Sequence, residues 1–532
     1  MLTRDPSARR RLAGLVVGAA FAALLVPATA HAVPATTGCE RRNNNEYAKL
    51  LECVTLDGVR AHQEELQDIA NANADEFYPG SRRAGTAGYD NSANYVASVL
   101  EAAGWQVSFD DVTFQFVFPA LLQQLQPVNA TYETGTFTGS GDGDITGNVI
   151  AVDINLVPPR ASTSGCEAAD FAGLNWSGPN DIALAQRGTC SFGIKAINAQ
   201  NAGAEAVIIF NQGNEPAREG LIVGTLLPDG AAVTIPVVGA SFADGVALSQ
   251  AGSQARVRVL PSETRTDVNV IAEKRGQNND NVVMAGAHLD SVGAGPGIND
   301  NGSGSAALLE IAQNLANHRP VNTLRFAWWA SEEGGLVGST QYVAGLSQAE
   351  KDRIALYLNF DMIGSPNYFI GVYDADQSSY NAPAGVPIPN GSVALEDVFE
   401  SYYTMVDEPY DDAEFSGRSD YQAFIQNGIP ASGLFTGAEV TKTAEQQGIW
   451  GGTVGAQFDP CYHLACDTFA NNSNHALEVN SDAIAFAVLT FAYSTEAVNG
   501  VPGKPVPDSG PLATPAGPEG TCPSGPSVPC KL

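Results

Sequence analysis

Hydrophobic and polar positions alternate on two periods along this chain, and the switches between them mark its elements. From 57 to 118 the pattern is mixed: Tyr95, Val96, Val99 and Leu100 share one face of a helix expected over Ser92–Ala103, with Gly104 as its stop. Trp105–Phe109 and Val112–Phe116 then read as strands. A Gly/Thr/Ser-rich stretch, Tyr132–Gly147, changes the organisation. A second unit follows to about Pro261: Asp181–Ala185 as a buried strand, Phe192–Ala202 as a helix, Ala206–Phe210 as a strand, then Ala232–Val238 and Ser241–Gln250 repeating the theme. That unit contains no His, so a catalytic cluster is not expected there. Residues 265–495 resume α/β alternation with longer apolar runs. Asn499–Leu532 holds nine Pro and six Gly with few large apolar groups, and reads as a flexible tail.

The start of the chain carries a different signal. Arg9, Arg10 and Arg11 precede an apolar run, Leu12–Val26, and Ala30-His31-Ala32 has the small-x-small form of a cleavage site. The run is shorter than the roughly 20 apolar residues a bilayer span needs. Residues 1–32 therefore read as a secretory signal peptide cut near Ala32, and no other segment of the sequence reads as a membrane span. The 532 residues carry 27 Lys+Arg against 58 Asp+Glu, a net charge of -31, which disfavours nucleic acid as a partner. A hydrophobic share of 44% excludes global disorder. Export implies an oxidising compartment, and the eight cysteines fall into four sequence-local pairs: Cys39 with Cys53, Cys166 with Cys190, Cys461 with Cys466, and Cys522 with Cys530. Local pairing is the simplest of the 105 connectivities that eight Cys allow, and a Cys522–Cys530 disulfide would loop the tail.

Candidate chemistry gathers at the ends of three apolar strands. Val282–Ala287 runs into His288-Leu289-Asp290, Leu324–Ala330 into Ser331-Glu332-Glu333, and Ile354–Phe360 into Asp361. Sites in open α/β sheets collect beyond the carboxyl ends of strands. Asp300 follows in a Gly/Pro loop just before a helix expected over Gly302–Asn317, where the helix dipole favours an anion. His463 sits between Cys461 and Cys466. Asp290 is placed to orient the His288 ring. His318 and His475, each at a polar helix end or loop, read as ordinary satisfied core or surface residues, and His62 as a solvated one. Two neighbouring acids at a strand end point different ways, so Glu332 and Glu333 can serve different partners. His, Asp and Glu without Cys suit zinc and allied divalent ions. Two His with three carboxylates exceed what one open catalytic ion needs, and suit two ions about 3.5–4 Å apart.

The blocks His288-Leu289-Asp290-Ser291-Val292, Gly295–Asp300, Trp328–Gly334, Leu358–Gly364, Gly417-Arg418-Ser419-Asp420 and Pro460-Cys461-Tyr462-His463, in that order, resemble metallopeptidase family 28, the secreted double-zinc aminopeptidases. Gln186–Phe192 and the Ala/Gly-rich helix after it resemble a protease-associated domain. The resemblance implies an α/β fold with a mixed β-sheet flanked by helices, spanning 33–130 and 262–498, with the protease-associated domain inserted at 131–261. It implies two Zn2+ per chain: His288 and Asp361 on one, Glu333 and His463 on the other, Asp300 bridging. Glu332 is then the general base, Tyr462 steadies the oxyanion, Arg418 helps bind substrate, and Met362 and Phe435 line a side-chain pocket. Asn301 stands where relatives often have a second Asp, a departure expected to leave activity intact because no ligand is needed there. Some relatives bind Ca2+ near the C-terminal helix, and Glu478 and Asp482 have compatible spacing.

The expected activity is a secreted aminopeptidase, a monomer, acting on peptide or protein N-termini with a Leu-like preference. Two rivals stay open. A carboxypeptidase on the same fold would need a basic pocket, for which Arg418 is the one obvious cation. A non-enzymatic binding protein with a relic site would need a missing ligand or base, and the blocks above contain them all.

Overall fold

A computed structural model describes residues 38–518. The expected signal peptide, 1–32, lies outside the described residues. Three of the four expected cysteine pairs are disulfides: Cys39–Cys53, Cys166–Cys190 and Cys461–Cys466. The fourth expected pair is not among them, because Cys522 and Cys530 both lie beyond residue 518 and so outside the described residues.

Eight strands form one sheet in the order Gln106–Phe116, Glu263–Lys274, Asn322–Trp329, Asn278–His288, Ile354–Phe360, Ala431–Phe435, Gly371–Tyr373 and Asp411–Ala413. The four strands from Asn322–Trp329 to Ala431–Phe435 run parallel, while Gln106–Phe116 and Glu263–Lys274 on one side pair antiparallel. Asn322–Trp329 and Ile354–Phe360 are buried at every position. Burial without alternation means both faces are covered, as parallel sheets require. The parallel arrangement also brings the carboxyl ends of these strands to one edge, so His288, Ser331–Glu333 and Asp361 emerge together.

Seven further strands form a second sheet: Ala130–Tyr132, Leu121–Gln126, Gln254–Val259, Gly143–Val152, Asp181–Gln186, Ala206–Phe210 and Val237–Ala240. It begins at Leu121, before the expected start at 131. Leu121–Gln126 pairs antiparallel with Gln254–Val259, and its Leu/Gln composition carries no boundary signal. The element boundaries shift in familiar ways. The helix expected from Ser92 starts at Ala87, because Thr86 is its N-cap. The two strands expected after Trp105 are one, Gln106–Phe116, since its partner Glu263–Lys274 runs unbroken alongside. In the 232–238 run only the residues beyond Pro236 join the sheet, because proline cannot donate to the ladder.

The expectation that no segment after the first 32 residues is long and apolar enough to span a membrane is corrected by the helix Asn474–Tyr493, which is long and apolar enough by length and composition, although 78% of its most apolar window is buried inside the protein. It is a core helix, packed beneath the strands Asn322–Trp329 and Asn278–His288. Beyond Asn499 no regular element forms among the described residues, in keeping with the Pro/Gly content, yet the chain to 518 is not free. Val506 is buried, the Ala513 carbonyl accepts from Ser401 Oγ at 2.8 Å, and the Gly517 N–H donates to Tyr410 at 2.9 Å.

Candidate metal centre

Each potential ligand is held by its own local device. His288 is the last residue of its strand, and Asp361 follows Phe360 directly. Ser331 takes a left-handed backbone (φ 54), which turns the chain out of the sheet so that Glu332 and Glu333 face the edge. Their N–H groups donate to the two oxygens of Asp290, at 3.0 and 3.3 Å. The loop before Asp300 is pinned by Asp467, which accepts from the Asn299 and Asp300 N–H groups at 2.8 and 3.0 Å. Asn301 N-caps the helix Gly302–Asn314 and donates to the Phe360 carbonyl at 2.8 Å, so its side chain is a structural tie. His463 sits at φ 57 inside the Cys461–Cys466 loop.

These devices converge on Asp300. Its Oδ1 lies 3.1 Å from His288 Nε2 and its Oδ2 lies 3.2 Å from His463 Nε2. Asp361 Oδ1 is 3.4 Å from His288 Nε2, and Glu333 Oε2 is 3.1 Å from His463 Nε2. Two triads result, His288–Asp300–Asp361 and Asp300–Glu333–His463, each with its ligand atoms within 4.8 Å of one another. Asp361 Oδ1 and Glu333 Oε1 are buried with no hydrogen-bond partner. Buried carboxylate oxygens facing imidazole nitrogens, left unpartnered, are the donor set a divalent cation satisfies. The residues present therefore fit divalent metal ions of the zinc type.

The charges agree. Asp290, Asp300, Glu332, Glu333, Asp361 and Asp420 crowd two histidines. Burial alone would lower His288, but Asp361, Glu332, Asp290 and Asp300 together raise it well above its ordinary value. Burial pushes Glu332 well up, with Asp420, Asp361 and Glu333 adding to it against His288. Glu333 is pushed up to about 7 by burial and by Asp300. Asp300 is held far below the usual carboxylate range, its burial outweighed by His288 and His463.

The remaining expected residues divide. Asp290 meets the His288 Nδ1 with its backbone carbonyl at 3.1 Å, and its carboxylate stands 3.7 Å off, chiefly holding the Glu332–Glu333 turn. Tyr462 stacks on His463 with centroids 3.8 Å apart, and burial pushes its phenol up, which keeps it a donor. Arg418 donates to Glu439 at 2.6 Å and to the Tyr462 hydroxyl at 3.1 Å. Beside them opens a cavity of about 660 Å³ whose walls include Phe369, Phe435, Val440, Phe458 and Arg418. Phe435 is thus on the wall, whereas Met362 is buried, held by its N–H to Asn301, and is not among the lining residues. Glu478 and Asp482 lie one turn apart on the C-terminal helix, with Asp482 bonded to the Tyr402 hydroxyl. They join no three-ligand cluster among the described residues. His62 is not solvated: it is buried between Tyr95 and Gln313, at 2.6 and 2.7 Å.

Sequence reasoning missed several supports. Ser419 donates to Asp361 Oδ2 at 2.6 Å, fixing which oxygen faces His288. Asp420 is fully buried near Glu332, with one oxygen unpartnered. Both fall in the Gly417–Asp420 block, where only Arg418 had drawn a role. Asp467 follows Cys466, and that adjacency to the disulfide loop was the available signal. Arg82 is buried and donates to the Pro296 and Gly297 carbonyls at 2.8 and 2.6 Å, and nothing in its sequence context marks it.

Comparison with known proteins gives matches along most of the chain. Residues 269–488 match the peptidase family M28 model and residues 145–248 match the PA domain model. An aminopeptidase of Pseudomonas aeruginosa is 46% identical over 463 residues, covering 85% of this chain and 83% of its own. Leucine aminopeptidase 2 of Arthroderma otae is 38% identical over 459 residues, covering 85% and 86%. The solved structure of a zinc aminopeptidase from Bacillus subtilis aligns with a TM-score of 0.54 at 25% identity, covering 84% of this chain and 97% of that one.

Proposed function

This chain belongs to peptidase family M28 and is a metallo-aminopeptidase with an inserted PA domain, and from that premise we propose that it is a secreted enzyme that removes Leu-like N-terminal residues with two zinc ions. The observation that carries the two-ion reading is Asp300, which turns one oxygen toward each triad. His288 and Asp361 would hold one ion, Glu333 and His463 the other, and Asp300 both. When bound, the pair supplies Lewis acidity that acidifies water and polarises the scissile carbonyl. Glu332 takes the proton of the attacking water and returns it to the leaving amine. Tyr462, held by Arg418 and by stacking on His463, donates to the developing oxyanion.

The carboxylate-rich edge favours a substrate's free α-amino group. The alternative of a C-terminal carboxylate pocket is disfavoured because both cations on the cavity wall are already engaged, Arg418 with Glu439 and Lys442 with the Gly451 carbonyl at 2.9 Å. Phe369, Phe435, Val440 and Phe458 give the cavity an apolar patch among polar walls, which supports a preference for hydrophobic side chains. Secretion is supported by the N-terminal sequence pattern and three disulfides. The test compares Leu-p-nitroanilide with its N-acetylated form. Hydrolysis of the free-amine substrate alone is expected. Equal hydrolysis of the blocked one would refute N-terminal recognition.

A further inference from the structure

A second cluster of carboxylates lies away from the zinc-type triads, at the far edge of the main sheet. Asp374 follows the strand Gly371–Tyr373, Asp412 is in the neighbouring strand Asp411–Ala413, and Glu396 and Glu400 project one turn apart from the helix Ser392–Val406. Asp374, Asp376 and Glu396 have ligand atoms within 4.8 Å of one another, and so do Glu396, Glu400 and Asp412. Glu396 belongs to both groups. Asp374, Glu396, Glu400 and Asp412 are 2%, 3%, 8% and 1% exposed.

Some of these oxygens have partners, and the pattern of those that do not is informative. Glu396 Oε2 accepts the Ala375 and Asp376 N–H groups at 3.1 and 3.0 Å. Asp374 accepts from the N–H groups of Ser378, Ser379 and Tyr380. Asp412 Oδ2 accepts the hydroxyls of Ser378 and Ser379. Its Oδ1 is buried with no partner at all. An unsatisfied carboxylate oxygen in a buried group of like charges costs several kcal/mol unless a cation meets it.

We propose that Glu396, Glu400 and Asp412, completed by Asp374 and Asp376, bind one calcium ion. The donor set is oxygen only, with neither His nor Cys, which selects a hard cation over zinc. Carboxylates gathered from a loop, a helix and a strand suit the six to eight adaptable oxygen ligands of calcium better than the tight octahedron of magnesium. The ion would tie the helix Ser392–Val406 to the strand edge and to the segment 374–381. That segment, that strand and the residue after it supply Ser379, Tyr380, Asp412 and Glu414 to the cavity beside Arg418, so calcium stiffens one of its walls.

The test is equilibrium dialysis of the zinc-loaded full chain against radioactive calcium in calcium-free buffer, with zinc content measured in parallel. One calcium per chain is expected, undisplaced by equal magnesium, with a rise of about 5 °C in the unfolding midpoint at saturation. The double variant Glu396→Gln/Glu400→Gln should lose the bound calcium and the shift while keeping its zinc. Asp376 is exposed, so Asp376→Asn folds without difficulty and should weaken calcium about tenfold. The pair Glu478→Gln/Asp482→Asn should leave calcium binding unchanged. No calcium on the wild type, retention by both the double variant and Asp376→Asn, displacement by equal magnesium, or loss through Glu478 and Asp482 would each overturn the assignment.

Discussion

Asp300 is the residue on which the account turns, because one carboxylate addresses two histidines from opposite oxygens. Glu332 differs from it in kind: it stands 3.9 Å from His288 Nε2 and is assigned a proton, not a metal. Glu332→Ala should therefore lower kcat at least about a hundredfold with zinc content unchanged. Near-normal turnover would refute the base assignment. Tyr462→Phe removes one hydroxyl next to the reacting carbonyl and should cost about a hundredfold in kcat with KM little altered, as read from steady-state kinetics on Leu-p-nitroanilide. The ligand-type residues and Glu332 were legible in the sequence because His288, Glu332, Glu333 and Asp361 end or follow apolar strands, Asp300 sits in a Gly/Pro loop at a helix start, and His463 lies inside a short Cys–Cys loop. Ser419, Asp467 and Arg82 were not, because their roles depend on partners distant in sequence: Ser419 bonds Asp361, Asp467 bonds Asp300, and Arg82 bonds Pro296.

At the scale of elements, the strands with unbroken apolar runs were plain, and Ile354–Phe360 appears with its expected ends. The strand Leu121–Gln126 was hidden by its glutamines, whose pairing with Gln254–Val259 no local pattern announces. His318 shows the same limit. It reads as a residue at a polar helix end, yet it is buried between the helix Gly302–Asn314 and the strand Asn322–Trp329, its ring 5.6 Å from that of Tyr493 and both nitrogens unpartnered. Burial, with Lys274 nearby, pulls its pKa from 6.5 down to about 4. The unfolded chain then binds a proton that the folded one refuses. Stability from the neutral ring is present above pH 6.5 and lost as pH falls towards 4, by roughly 3 kcal/mol. Urea unfolding of His318→Phe against wild type should show the variant gaining about that much in relative stability between pH 7 and pH 4. A pH-independent difference would contradict the buried neutral ring.

For the whole molecule, two sheets built around separate cores place all the zinc-type ligands in one unit, and the PA domain contributes none. The absence of His between 131 and 261 already said as much. The described tail to 518 lies on the catalytic unit through Ser401 and Tyr410, a role its Pro/Gly composition conceals. On the proposed reading, two zinc ions share this one edge of the sheet and both are needed to cleave an N-terminal residue. The most direct measurement is stepwise zinc addition to the chelator-stripped full chain, reading bound zinc by elemental analysis and Leu-p-nitroanilide hydrolysis on the same samples. The account predicts no activity without metal, full activity as bound zinc reaches two per chain, and less than about one-tenth of that metal retained by Asp300→Asn under the same wash. Full activity in the stripped protein, or saturation at a single zinc that Asp300→Asn still holds, would contradict it.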